Sequence, residues 1–257
     1  FVTQPSGRPA EIPKPKRDAS DTDATFKAKE EKYNADETKR KADEEKWLEG
    51  VKKLLAQKLS PDALKNYDGV IFLNTSGELP LPDRQAFIDW LKSGKSFVGI
   101  HSAADTLHGF KPYVEMLGAE ADGTPWNEKL TVLVQDRKHP ASGPFDRKFE
   151  IAEEFLQFKN WKRDDLHTLM ALDPSNDERP KKSAQPGEPE KSVFERGSRA
   201  DKDYAVAWVK EFGKGRVFYT SLGQSEDVWR DDNFQQHVFA GIRWALGQLS
   251  DTKRDGM

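Results

Sequence analysis

His101 ends an apolar run, 97–100, and is followed by Ser102, Ala103, Ala104 and Asp105. An imidazole, a hydroxyl and a carboxylate this close together can move protons and hold the hydroxyl groups of a substrate. Their setting adds to the case. A buried strand that stops at a turn of small residues presents its last side chains beyond the carboxyl edge of a sheet, where open α/β folds gather their ligands. The plain alternative is a polar residue that caps a helix and does no chemistry. Three further polar groups stand near strand ends or within a strand: Asn74-Thr75-Ser76, the carboxylate pair Glu153–Glu154, and Gln224 after Ser221-Leu222-Gly223.

The elements that would position these groups alternate. Residues 70–73 form a continuous apolar run, which predicts a strand covered on both faces. A helix over 82–91 follows, then the strand at 97–100. Strand, helix and strand in that order are the pattern of a parallel α/β sheet. Further on, 113–117 reads as a short helix, 122–127 as a loop, 130–134 and 166–172 as strands, and 149–158 as an imperfectly alternating strand. Residues 205–209 and 216–220 are strands joined by turn glycines at 213 and 215. A closing amphipathic helix spans 233–249 and puts Phe234, Val238, Ile242, Ala245 and Leu249 on one face. Residues 173–202 are polar and proline-rich, a long surface excursion.

The amino-terminal part differs in composition. Prolines at 5, 9, 13 and 15 make 4–25 a loop or extended surface segment. Residues 26–57 are rich in Ala, Lys, Glu and Leu and predict a solvated helix whose last turns dock on a core. Phe26, Tyr33, Trp47 and Leu54 fall on multiples of seven, but Arg40 interrupts the series, so a sustained coiled coil is lacking. Ser60 and Pro61 start a short helix as cap and first residue.

Composition bounds the function. The chain has 257 residues, 33% of them charged, and a net charge of −3, which gives no general attraction to nucleic acid. It has no cysteine, which excludes disulfides, thiolate ligands and a cysteine nucleophile. No apolar run is long enough to span a membrane. Starting at Phe1, the sequence is expected to have been trimmed at its amino end, and a signal peptide removed earlier would leave no trace. There is no glycine-rich phosphate loop, no HExxH and no Gly-x-Ser-x-Gly.

Five blocks resemble the ThuA-like (trehalose utilisation) proteins and occur in that family's order over 59–248. They are Asn66-Tyr67-Asp68-Gly69-Val70-Ile71-Phe72, the stretch 94–106 around His101, Asp136-Arg137-Lys138-His139-Pro140, the stretch 207–223, and 239–245. The resemblance implies a class I glutamine amidotransferase-like fold: an α/β, flavodoxin-like three-layer sandwich with a mostly parallel sheet. Residues 59–249 would form that domain. Residues 1–58 would supply a strand remnant, Phe1-Val2-Thr3, plus a charged loop and helix within or inserted in it, and 250–257 a tail. In the amidotransferase relatives the turn after the central strand carries a cysteine nucleophile. Here His101 stands there, as is usual in the ThuA-like branch, and an imidazole does not replace a thiolate in glutaminase chemistry.

The sequence departs from the family at four histidines. None follows residue 3, Thr124 and Asn127 replace two in the family's Asp-Gly-His-Pro-Trp-His loop, and Gln224 replaces the one after Leu-Gly. Their joint absence argues against a divalent metal, and no cofactor is expected. The resemblance implies a role in the metabolism of disaccharides or their keto forms, as a hydrolase or lyase. His101 would be its acid or base, Glu154 would orient the ring, and Asp105 would be the third catalytic residue. Asn74, Thr75, Ser76, Ser102, Asp122 and Gln224 would meet sugar hydroxyls, and Trp126 the ring's C–H face, unless Trp126 simply packs in the core. The competing expectation is a degenerate binding protein on the same fold, with the helix at 26–57 as a surface for a second copy or a protein partner. Relatives with this loop pattern are often exported, which points to a periplasmic or secreted location.

Overall fold

A computed structural model describes residues 7–178 and 192–250, and the expected strand remnant at 1–3 lies outside the described residues. The chain divides into two compact units, one drawn from residues up to 64 with 80–83, the other from 65–79 and everything from 84 on.

In the first unit helix α1 (Asp23–Leu59) is capped by Thr22, whose hydroxyl accepts from the Thr25 backbone N–H. It runs longer than propensity alone indicated and ends where Pro61 forbids its continuation. Helix α2 (Pro61–Leu64) follows with Ser60 as its cap, as expected. Of α1 only Val51 and Leu55 are buried. The half-buried positions Phe26, Tyr33, Arg40 and Trp47 form a stripe with a seven-residue repeat.

The extended segment before α1 runs back along this stripe. The Arg8 guanidinium lies over Trp47, and that of Arg17 lies over Phe26. Pro9, Ile12 and Pro15 are half-buried at every third position, the period of a polyproline II helix. At ~3.1 Å per residue the strap from 8 to 17 covers about 28 Å, and at ~1.5 Å per residue the helix from 26 to 47 covers about 31 Å. Arg40, which breaks the hydrophobic series, sits in the stripe through paired contacts to Glu37 and Glu44 at 2.7 and 2.8 Å.

The second unit is built on a seven-stranded sheet. In chain order its elements are β1 (Gly69–Leu73), α3 (Arg84–Lys92), β2 (Ser96–Ile100), α4 (Lys111–Leu117), β3 (Glu120–Ala121), β4 (Trp126–Val134), β5 (Lys148–Phe155), β6 (Phe158–Lys159), β7 (His167–Leu172), β8 (Ala205–Phe212), β9 (Gly215–Thr220), α5 (Glu226–Arg230) and α6 (Asp232–Ala245). The sheet order is β1-β2-β9-β8-β7-β4-β5, and β3 pairs with β6 apart from it. The α/β sandwich is as expected, but the sheet is mixed. β1, β2 and β9 are mutually parallel, and every other neighbouring pair is antiparallel. The reason lies in the connections. β1 and β2 are joined through α3, long enough for a parallel crossover, whereas β8 and β9 meet in a tight turn that closes at Phe212 and Gly215 and can only reverse the chain.

Alternation along β2 divides the core into two layers. Phe97 meets Phe72 and Tyr113 edge-on, on the face carrying α3 and α4. Val98 and Ile100 join the opposite layer with Phe218, Phe234, Val238 and Trp244, under α6. The edge strand β1 is covered on one face only: Phe72 is buried, but Ile71 and Leu73 are 49% and 45% exposed, against the two-sided burial expected for this run. The expected surface excursion also contributes to the core. Asn176, Val193 and Phe194 are buried, and residues 179–191 of that stretch lie outside the described residues.

The β4–β5 hairpin has a consequence for the site. β4 pairs with β7 only over Val132–Val134, yet with β5 from Trp126 to Leu133. The free end of this two-stranded arm therefore runs past β7. It carries Glu153 and Glu154 to the carboxyl ends of β2 and β9, several strands away in the sheet order.

Candidate functional site

β2 delivers His101 to the carboxyl edge, and the backbone turns there at a φ of 47°, a left-handed conformation rare for a residue with a side chain. The turn is held from three sides. The Tyr219 hydroxyl donates to the His101 carbonyl at 2.7 Å, the Tyr113 hydroxyl donates to the Ala103 carbonyl at 2.8 Å, and the Thr106 hydroxyl donates to the Ser102 carbonyl at 3.4 Å. Burial pushes both phenols up from their ordinary pKa, so they remain donors. Gly99 makes room for this arrangement, because a Cβ there would stand 2.9 Å from the Tyr219 ring.

The His101 ring is 1% exposed. Its Nε2 lies 3.0 Å from the Glu154 backbone carbonyl and its Nδ1 3.0 Å from the Ser102 hydroxyl. A carbonyl oxygen only accepts, so the proton of the neutral ring is on Nε2. Nδ1 is then an acceptor, and the Ser102 hydroxyl donates to it. The Glu154 carboxylate is 3.9 Å from Nε2 and 29% exposed, so the backbone of Glu154 orients the ring more directly than the side chain assigned to that task.

Glu153, not Glu154, is the interior carboxylate. It is 2% exposed, and its oxygens accept from the backbone N–H groups of Gly223 (2.9 Å), Gln224 (3.2 Å), Ser225 (3.3 Å) and Glu154 (2.8 Å). Charge-assisted bonds of this kind are about twice as strong as neutral ones. They fix the loop after β9 and bring Gln224 to the edge. Glu153 has a signal in the sequence: Phe149, Ile151 and Phe155 alternate with polar residues, and Glu153 falls on their face. Asn74 completes the ring of contacts. It too has a left-handed φ of 49°, and its carboxamide donates to the Gly223 carbonyl at 3.1 Å, which also accepts from the Trp229 indole at 2.8 Å.

The structure thus gathers Asn74, His101, Ser102, Glu154 and Gln224. Thr75 pairs with the Thr106 hydroxyl at 2.9 Å behind this edge, and Ser76 is exposed. Three other expected residues are placed elsewhere. Asp105 faces His108, with Oδ1 2.7 Å from its Nε2, and does not meet His101. Asp122 is exposed, and its backbone carbonyl accepts from Gln157. Trp126 is fully buried, with its indole donating to the Val193 carbonyl at 2.7 Å and Tyr204 and Phe194 against its ring, so it offers no face to a sugar. The loop expected at 122–127 gave way here because β4 begins at Trp126, paired with Phe155.

A second polar cluster lies on the α4 side. His108 donates from Nδ1 to Glu120 (2.9 Å) and from Nε2 to Asp105, and a ring that donates from both nitrogens is an imidazolium. The Glu120 bond, against partial burial and with Asp105, raises the His108 pKa. Burial would raise Glu120, but His108 and Lys159 outweigh it and hold the carboxyl below its ordinary value. A hollow of about 400 Å³ beside this cluster is lined by Lys111, Glu115, Glu120, Asn160, Asp165 and Lys210, and it does not reach His101. Around His101 the donor set does not fit a metal ion. One ring nitrogen carries its proton to a carbonyl and the other faces a hydroxyl, and among the described residues no group of three His, Asp or Glu side chains is arranged to hold a metal ion. No helix among them is long and apolar enough to cross a membrane.

No curated protein matches the sequence. Among solved structures, a ThuA-like protein from Bacteroides uniformis ATCC 8492 is similar at 22% identity and a TM-score of 0.56, over 74% of this chain and 73% of that one. A ThuA-like protein from Parabacteroides merdae ATCC 43184 is similar at 13% identity and a TM-score of 0.52, over 75% of each chain. These likenesses speak for the fold. The family profile described as trehalose utilisation matches residues 19–245, most of the sequence, and so the chain belongs to the ThuA family.

Proposed function

We propose that this protein is an enzyme acting on a hydroxyl-rich, carbohydrate-type substrate at the carboxyl edge of β1, β2 and β9, with His101 as the proton-holding group. The observation that carries this reading is the ring's confinement. Its backbone is held at a left-handed φ, its tautomer is fixed by the Glu154 carbonyl, and Nδ1 is left as a base. Asn74 and Gln224 stand at that edge with groups suited to sugar hydroxyls. A second reading, a binding protein that has lost its chemistry, is favoured by the near-complete burial of His101 and by Gln224 at a position where relatives carry histidine.

The test is a panel of disaccharides and their keto forms, followed by thermal shift for binding and by NMR for conversion. Conversion that disappears in His101→Asn is the expected result. Binding without conversion would select the second reading, and neither would remove both.

A further inference from the structure

His101 cannot act on a substrate directly. The ring is 1% exposed, Nε2 commits its proton to the Glu154 carbonyl, and Nδ1 points at a neighbouring hydroxyl. Any proton it takes must come through Ser102. That residue is half-buried, so it is the member of the pair that a ligand can reach. The Glu154 carboxylate stands 3.9 Å from Nε2, on the far side of the ring from the serine. Read outward, the order is carboxylate, imidazole, hydroxyl. This resembles the arrangement that activates a serine, with the two ring nitrogens exchanged and the ring N–H held by a backbone carbonyl, the carboxylate standing close behind it. The turn that carries it is braced at three successive carbonyls by Tyr219, Thr106 and Tyr113, which is the support a reacting group needs.

We propose that Ser102 is a nucleophile, activated by His101 Nδ1, that cleaves carboxylic esters of hydroxyl-rich alcohols such as acylated carbohydrates. The alcohol half of this assignment rests on the carbohydrate reading above; the nucleophile does not. In the first step the Ser102 oxygen bonds to the ester carbonyl carbon and its proton passes to Nδ1. The ring becomes an imidazolium that still donates from Nε2 to the Glu154 carbonyl, and the nearby carboxylate offsets its charge. Collapse of the tetrahedral intermediate breaks the bond to the alcohol oxygen, which leaves with the proton from Nδ1. Water then attacks the acyl-serine, giving its proton to Nδ1, and the acid departs as Ser102 recovers its hydrogen. No oxidant or metal enters the balance.

The nucleophile is tested with a fluorophosphonate, which loses fluoride to an activated serine. The full chain is labelled, and the adduct is located by intact mass and peptide mapping. One adduct is expected, on Ser102, absent in Ser102→Ala and formed about a hundredfold more slowly in His101→Gln. Because His101 is packed into the fold, Glu154→Gln is the second variant. It keeps the carbonyl that orients the ring and removes only the carboxylate, and it is expected to slow labelling while leaving the melting temperature in place. A folded wild-type chain without an adduct on Ser102, or equal labelling rates in all variants, overturns the nucleophile even if disaccharides bind. The alcohol class is tested by comparing an acetylated disaccharide with p-nitrophenyl acetate. Faster turnover of the disaccharide ester supports the class. Labelling of Ser102 with no preference for the sugar ester overturns the carbohydrate reading and leaves the nucleophile standing.

Discussion

His237 lies in the core between the rings of Phe145, Phe218 and Phe234, with Nδ1 donating to the Ala141 carbonyl and Nε2 buried without a partner. Burial lowers its pKa to about 4, with the carbonyl opposing and nearby His139 reinforcing the shift. The sign follows from linkage. In the unfolded chain the ring takes a proton near pH 6.5, and in the folded protein it does so only near pH 4. Between those values the unfolded state holds more protons, so stability falls as the pH is lowered, by about 3 kcal/mol over the window. Denaturant melts at pH 7, 5.5 and 4 should show this loss, and His237→Phe should remove much of the slope. A slope unchanged in the variant would assign the acid sensitivity to other groups. At this scale the sequence is partly legible. An apolar strand stopping at a small-residue turn identified His101. It did not separate Glu153 from Glu154, because two adjacent carboxylates look alike until the face each one takes is known. The burial of Glu153 shows only in the alternation of Phe149, Ile151 and Phe155, an alternation that belongs to a hairpin and not to a motif.

Among the elements, α6 shows how a packing demand overrides propensity. Gly241 lies in its middle, where alanine would gain about 1 kcal/mol of helix propensity. A Cβ at 241 would overlap the Phe218 ring of β9. Forcing extra volume into a filled core costs ~1–3 kcal/mol, so Gly241→Ala is expected to be destabilising on balance. A denaturant midpoint at or above that of the wild type would show that α6 can shift away from β9 without loss. Helix α1, the β1–α3–β2 crossover and the β8–β9 hairpin are legible because each is a local pattern: propensity, an apolar run, two turn glycines. The mixed character of the sheet is not. β4, β5 and β7 are short apolar runs whose neighbours are chosen by three-dimensional register, and nothing in such a run encodes direction. The strap along α1 falls between these cases. Pro9, Ile12 and Pro15 carry its three-residue period in the open, but a repeat that short is easily read as a loop.

For the molecule as a whole, the site is a meeting of distant chain. Asn74 joins Gly223 across 149 residues, Glu153 joins Gly223 across 70, and His101 joins Glu154 across 53. Glu153→Gln tests how much that meeting depends on one charge. The amide places an N–H among backbone N–H donors and weakens the remaining bonds, for an expected loss of about 2 kcal/mol. Hydrogen exchange should accelerate first at the amides of 223–225. Unchanged protection there would mean that Asn74 and Trp229 hold the loop unaided. The distances along the chain bear also on the order in which the protein matures. Closing loops of this length carries an entropic cost that only a formed sheet can offset. Compact forms made during folding can therefore hold most of their helix and strand while the serine and imidazole are still far from the arm that aligns them. The reactivity proposed for Ser102 is then acquired late and all at once, so the chain stays chemically silent until its fold is complete.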